Sequence, residues 1–170
     1  GVGAGNVPAY IETTADIKQA VNDIALSKAF DNGMICASEQ AVIVDKEIYD
    51  DVKDQFKNYN VHYANKKEKE MLEQYMFKAF TKNVGAAKLN PDIVGKSAAW
   101  IAERAGFTVN PRTSIIIVEC KEVGPNEPLT REKLSPVLAM LKAESVDDGF
   151  DKAEAMVMFN GIGHSAAIHT

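Results

Sequence analysis

Two stretches, Ala41-Val42-Ile43-Val44 and Ile115-Ile116-Ile117-Val118, are apolar at every position. A strand with one wet face alternates apolar and polar side chains. A strand that is apolar throughout must be covered on both faces, as happens in a parallel sheet between helical layers. The rest of the chain supplies the helices. Pro8 to Glu12 reads as a strand, followed by a helix capped by Thr13 or Thr14 with Asp16 in its first turn. Ile17, Ala20, Val21, Ile24 and Ala25 recur at helical spacing, and Asp31-Asn32-Gly33 ends the pattern near Phe30. Asp45 is expected to cap a second helix, with Ile48, Val52 and Phe56 inward. A third helix is expected over Lys66 to Lys82, with Met71, Leu72, Tyr75, Met76, Ala79 and Phe80 inward and a solvated, charged start. A fourth runs from Ser97 to Ala105 and closes at Gly106. Ser114 to Glu119 carries the second apolar run, Gly124 to Pro128 is a loop, and Val137 to Lys142 is a strand. Val146, Phe150, Ala153 and Val157 mark a fifth helix, and His164 to Thr170 a last strand. Alternating strands and helices, without internal repeats or a linker, point to an α/β fold: a layered, mostly parallel sheet with flanking helices.

At 170 residues, 46% of them hydrophobic, the chain can bury the core of one domain. Its net charge of −5 gives nothing for a nucleic-acid backbone or an anionic membrane to bind, so neither partner is expected. No apolar run approaches the roughly 18–20 residues of a membrane span, and no basic-then-apolar leader is visible. Two cysteines make no disulfide framework. The expected compartment is cytoplasmic. The chain starts at Gly1 inside a glycine-rich loop and stops in what reads as a strand about to continue. The expectation is a piece of a longer polypeptide whose activity draws on other parts.

Few residues can carry chemistry. Cys36 follows a helix and a polar, Gly-containing turn and precedes a core strand; it reads either as a plain buried thiol or, since such a loop can expose a side chain at a sheet edge, as a nucleophile. Cys120 follows a core strand with no such approach and reads as structural. His164 sits in "NGIGHSA", where Gly161 and Gly163 allow a close approach to a ligand or simply form a turn. His62 and His169 have no motif around them. No histidines or cysteines have metal-ligand spacing, so no metal is expected. Gly1, Gly3 and Gly5 in "GVGAGN" look like a nucleotide loop, but a strand follows where the dinucleotide fingerprint needs a helix. Glu132, in "EKLSPVL", reads by itself as a surface charge or a helix start.

Taken in order, "GVGAGN", "FDNGMICASEQ", "EKLSPVLAM" and "GIGHSA" resemble the aldehyde dehydrogenase superfamily over essentially the whole chain. The likeness is strongest to its CoA-acylating members, and in particular to the aldehyde dehydrogenase half of bifunctional aldehyde–alcohol dehydrogenases. The resemblance implies a truncated catalytic domain over residues 1–170, with the dinucleotide-binding domain and its oxyanion asparagine absent. It implies NAD and coenzyme A as co-substrates, a small aldehyde and an acyl-CoA as partners, and a homo-oligomeric or filamentous parent in fermentation. Any iron would belong to the alcohol dehydrogenase half.

Residue by residue, Cys36 matches the nucleophile that attacks the aldehyde to give a thiohemiacetal; this adduct loses hydride to NAD and becomes a thioester, whose acyl group CoA then takes. Glu132 matches the glutamate that contacts the nicotinamide ribose. His164 matches a histidine near the acylating site, polarising the substrate or assisting CoA attack. Gly1, Gly3 and Gly5 match the loop passing the nicotinamide. Val2 stands where hydrolytic members carry a glutamate base, so the thioester has no carboxylate to activate water. The expected activity is acetaldehyde dehydrogenase (acetylating), with the isolated piece inactive. The rival readings are a hydrolytic aldehyde dehydrogenase that releases free acid, and a non-catalytic structural or assembly module with Cys36 inert.

Overall fold

The computed structural model describes residues 6–34, 38–77, 89–159 and 167–169. Its strands are β1 (Pro8–Ile11), β2 (Ala41–Asp45), β3 (Val61–Tyr63), β4 (Ile115–Cys120), β5 (Val137–Ala143) and β6 (Ala167–His169). They lie in one sheet in the order β3-β4-β5-β2-β1-β6, and every pairing is parallel. The helices are α1 (Ile17–Ala29), α2 (Tyr49–Phe56), α3 (Lys66–Met76), α4 (Ala98–Ala105) and α5 (Val146–Met158).

The two apolar runs behave as two-sided burial demands. Ile43, Ile116 and Val118 face a layer built from Leu72, Met76, Ile101 and Met156 of α3, α4 and α5. Their sequence neighbours Val42, Val44, Ile115 and Ile117 face Val21, Ile24, Val52 and Phe56 of α1 and α2. All these strand side chains are fully buried, each worth about 1.5–3 kcal/mol of transfer free energy. The expected α/β architecture, with a parallel sheet between helices, is the one observed.

Several local expectations shift. The α1 cap is Asp16, whose carboxylate accepts from Gln19 N, because both threonines are engaged elsewhere. Thr13 N and Oγ1 donate to Asp45, and Thr14 N and Oγ1 donate to Glu12. Asp45, committed to Tyr10 and Thr13, caps nothing, and a short 3-10 turn over Lys46–Ile48 leads into α2 instead. The third helix ends at Met76, since Phe77 has left helical geometry; the expected remainder, with Ala79 and Phe80, lies outside the described residues. In α5 the buried residues are Gly149, Ala153 and Met156, whereas Val146 and Phe150 are exposed. A Cβ on Gly149 would stand 2.4 Å from Tyr10 Cζ. The helix therefore lays its glycine on β1 and turns Phe150 to the rim, edge-on to Tyr10.

Candidate active site

Parallel strands all start at the same edge of a sheet. The predicted segments directly precede β1 (the glycine loop), β2 (Cys36), β5 (Glu132) and β6 (His164), and these four strands are consecutive in the order β5-β2-β1-β6. Cys36, His164, Gly1, Gly3 and Gly5 lie outside the described residues, as does Val2. Glu132 is described and buried. The flanks of the other segments are also described, and they converge.

Asn6, next to Gly5 in sequence, donates from Nδ2 to Thr130 O at 2.8 Å and to Phe159 O at 3.0 Å. One amide thus joins the start of β1, the segment leading to Glu132 and the end of α5. The Arg131 guanidinium stacks over the Phe159 ring at 5.5 Å, closing the same join. Gln40, at the start of β2, donates its backbone N–H to Val7 O at 2.7 Å. Its Oε1 accepts from Lys133 N at 2.9 Å. The Lys133 ammonium donates to Gln40 O, Leu129 O and Arg131 O at 2.8, 2.6 and 2.8 Å. Three carbonyls match its three N–H bonds and fix the backbone on both sides of Glu132.

The turn before Cys36 is left-handed at three successive residues: Asp31 (φ 49°), Asn32 (φ 52°) and Gly33 (φ 69°). Asn32 is held by its Nδ2, which donates to Gly95 O at 3.1 Å. Gly33 is required for space as well as for φ. A Cβ there would lie 2.3 Å from Ser135 O and 3.3 Å from Lys28 O. Leu134, beside Ser135, is also left-handed at φ 44°. Strained backbone in two abutting loops is a pattern found where function fixes a conformation that packing alone would not choose.

Buried polar atoms are nearly always hydrogen-bonded. Among the described residues the side-chain exceptions are Asn6 Oδ1, Lys28 Nζ, Ser38 Oγ, Glu39 Oε2 and Ser135 Oγ. All five belong to this edge. Lys28 is fully buried, and burial pushes its pKa down to about 7 against the pull of the Glu39 and Glu132 carboxylates. Burial and the neighbouring Lys28 also push Lys133 well below its ordinary value. Sequence reasoning missed this polar cluster. The available signal was Lys28 itself, a lysine on the Val21, Ile24, Ala25 stripe of α1; Asn6, Gln40 and Lys133 carried none.

The opposite edge differs. An open groove of about 730 Å³ there is lined by residues including Lys69, Glu119 and Glu127. Its charges answer one another, as in the Lys69–Glu127 pair at 2.8 Å. Cys120 sits at this end, buried and with its thiol pushed up to about 12, which fits the structural role expected of it. His62 Nε2 lies 3.0 Å from Glu68 Oε1 in the capping box of α3. No group of three or more potential metal ligands gathers among the described residues, and no helix there is long and apolar enough to cross a membrane.

Comparison with known proteins adds the chemistry of relatives. Residues 3–82 match the model of the aldehyde dehydrogenase family. The chain is 66% identical over its full length to an aldehyde-alcohol dehydrogenase of Streptococcus pneumoniae and spans 20% of that protein. Among solved structures, an acetylating aldehyde dehydrogenase from Geobacillus thermoglucosidasius superposes with a TM-score of 0.90 at 38% identity, covering all of this chain and 36% of that one. A propionaldehyde dehydrogenase from Rhodopseudomonas palustris, solved with bound CoA and an acylated cysteine, superposes at 0.80 with 27% identity over all of this chain and 37% of its own.

Proposed function

We propose that this chain, which belongs to the aldehyde dehydrogenase family, is the catalytic-domain piece of a CoA-acylating, NAD-dependent enzyme that interconverts a short aldehyde, acetaldehyde foremost, with its acyl-CoA. The observation that carries this reading is one edge of the sheet, where Asn6 ties the start of β1 to the segment leading to Glu132 and to the end of α5, and where the unsatisfied buried polar side-chain atoms among the described residues gather. The chain spans 20% of the aldehyde-alcohol dehydrogenase it matches and 36% of the acetylating enzyme. The rest of the parent then supplies the dinucleotide-binding domain and most of the substrate pocket.

In this reading the Cys36 thiolate adds to the aldehyde carbonyl to give a thiohemiacetal. NAD, when bound, supplies the hydride acceptor that turns this adduct into a thioester. The thiolate of CoA displaces Cys36 and leaves with the acyl group. Glu132 takes the cofactor's ribose: its carboxylate is buried at the same edge that carries the unpartnered Ser38 and Ser135 hydroxyls, a polar setting that suits a hydroxyl-rich ligand. Gly1, Gly3 and Gly5 let backbone pass close to the nicotinamide. His164 assists the exchange with CoA. Val2 provides no base, so the thioester waits for a thiol instead of water.

The test is intact-mass spectrometry of the full-length parent after incubation with acetyl-CoA. The reverse half-reaction needs Cys36 and no NAD. An acetyl adduct that maps to Cys36 and disappears in Cys36→Ser supports the reading. An unmodified, folded parent that makes NADH from aldehyde without CoA would put the hydrolytic alternative ahead. An unmodified parent without aldehyde oxidation would favour the non-catalytic module.

A further inference from the structure

Lysine is almost never fully buried without a partner. Lys28 is fully buried, and its Nζ has no hydrogen-bond partner among the described residues. Among the described residues, the charged groups that act on it are the carboxylates of Glu39 and Glu132 and the ammonium of Lys133. Lys133 is not an equivalent cation, since its three N–H bonds already reach three carbonyls. Lys28 also lies close to the Glu132 segment through its backbone. Gly33 is wedged between the carbonyls of Lys28 and Ser135, so the end of α1 presses on the loop that carries Glu132. A buried charge without hydrogen bonds costs stability, and its retention at a site edge calls for a function.

We propose that Lys28 is a positioning residue: its fully buried, unpartnered side chain is the positive pole of the polar cluster that gathers Lys28, Ser38, Glu39 and Ser135 beside the Glu132 loop, and it orients the Glu132 carboxylate toward the nicotinamide ribose. The proposal rests on the role given to Glu132 above. It places a control of nucleotide affinity on a helix residue that touches neither aldehyde nor cofactor. The thiol chemistry at Cys36 does not depend on it.

The experiment uses the full-length parent with Lys28→Met, Glu39→Gln and Glu132→Gln. Two quantities are read: NADH affinity by fluorescence from about pH 6 to about pH 9, and the NAD-independent rate of Cys36 acylation by acetyl-CoA. Glu132→Gln is expected to weaken NADH binding. Lys28→Met is expected to weaken it by about fivefold or more while acylation stays within about twofold. Wild-type affinity should fall as pH rises through about 7, where Lys28 loses its proton. In Lys28→Met that fall should vanish. In Glu39→Gln it should move to lower pH, because Glu39 supports the charged form of Lys28.

Wild-type affinity in Lys28→Met, or an unchanged pH dependence there, overturns the proposal, and so does loss of acylation in a folded Lys28→Met. If Lys28→Met does not fold, Glu39→Gln decides, and an unmoved pH dependence overturns the proposal. Unchanged NADH binding in Glu132→Gln removes Glu132 from the cofactor site and this proposal with it, leaving the Cys36 chemistry standing. A weakened Glu132→Gln beside an inert Lys28→Met overturns the Lys28 role alone.

Discussion

At the scale of single residues, Lys28 sets stability against use. Its pKa is pushed down to about 7 by burial, whereas an unfolded lysine titrates near 10.4. Below about pH 7 both states hold the proton and the folded chain bears the full cost of a buried ammonium. Between about 7 and about 10.4 the folded state has released the proton while the unfolded state still binds it, so stability rises with pH across that window. Lys28→Met is therefore expected to stabilise the chain at pH 6 by roughly 1–4 kcal/mol. The gain should shrink as pH approaches about 10. Urea midpoints at the two pH values check this. A variant less stable than wild type at pH 6 would mean that the carboxylates of Glu39 and Glu132 more than compensate the burial. A stabilising change that weakens cofactor binding is the trade-off expected of a site residue.

At the scale of elements, α5 shows how far sequence patterns reach. The helix is legible from its spacing and Ala153 is inward as that spacing predicts, but Gly149 and Met156 take the places expected of Phe150 and Val157, because Val146 and Phe150 look like core and Gly149 looks like nothing. What decides the face is close approach: Gly149 lies on the Tyr10 ring, which is anchored through its hydroxyl to Asp45. Gly149→Ala gains up to about 1 kcal/mol of helix propensity but drives a Cβ to 2.4 Å from Tyr10 Cζ. The net expectation is a loss of about 1–3 kcal/mol, seen as a lower midpoint in chemical denaturation. Tyr10→Ala should make the same glycine substitution nearly neutral, a coupling that a double-mutant cycle measures. Additive losses would show that the helix shifts instead of clashing.

The other elements divide along the same line. β2 and β4 were plain because two-sided burial writes a continuous apolar run. β3 went unread because Val61-His62-Tyr63 is only three residues long and half-buried at a sheet edge, with no pattern to display. The caps at Asp16 and Asp45 were misplaced because a threonine or aspartate near a helix start has other partners within reach, and those partners come from the neighbouring strand.

At the scale of the molecule, the candidate edge exists only through contacts between distant parts of the chain. Asn6 is separated by 124 residues from Thr130 and by 153 from Phe159. Periodicity speaks to neighbours in sequence, so it marked the pieces of the site by motif but gave no hint that Asn6, Gln40 and Lys133 join them. The same geometry bounds what this chain can do alone. In the proposed reading, what the described residues offer a nucleotide is one buried carboxylate and a neighbouring polar cluster, at a single edge of one sheet. A dinucleotide needs more, normally a second surface for its adenosine and pyrophosphate halves. The 170-residue chain should therefore bind NADH more weakly than about 100 µM, near −5 kcal/mol, and the full-length parent far more tightly. Fluorescence titration of both proteins in one buffer makes the comparison. Weak binding by the chain beside tight binding by the parent would place the missing surface in the remainder of the polypeptide. Micromolar binding by the chain alone would show that these residues already build a complete nucleotide site, and the assignment of a separate dinucleotide-binding domain would fall.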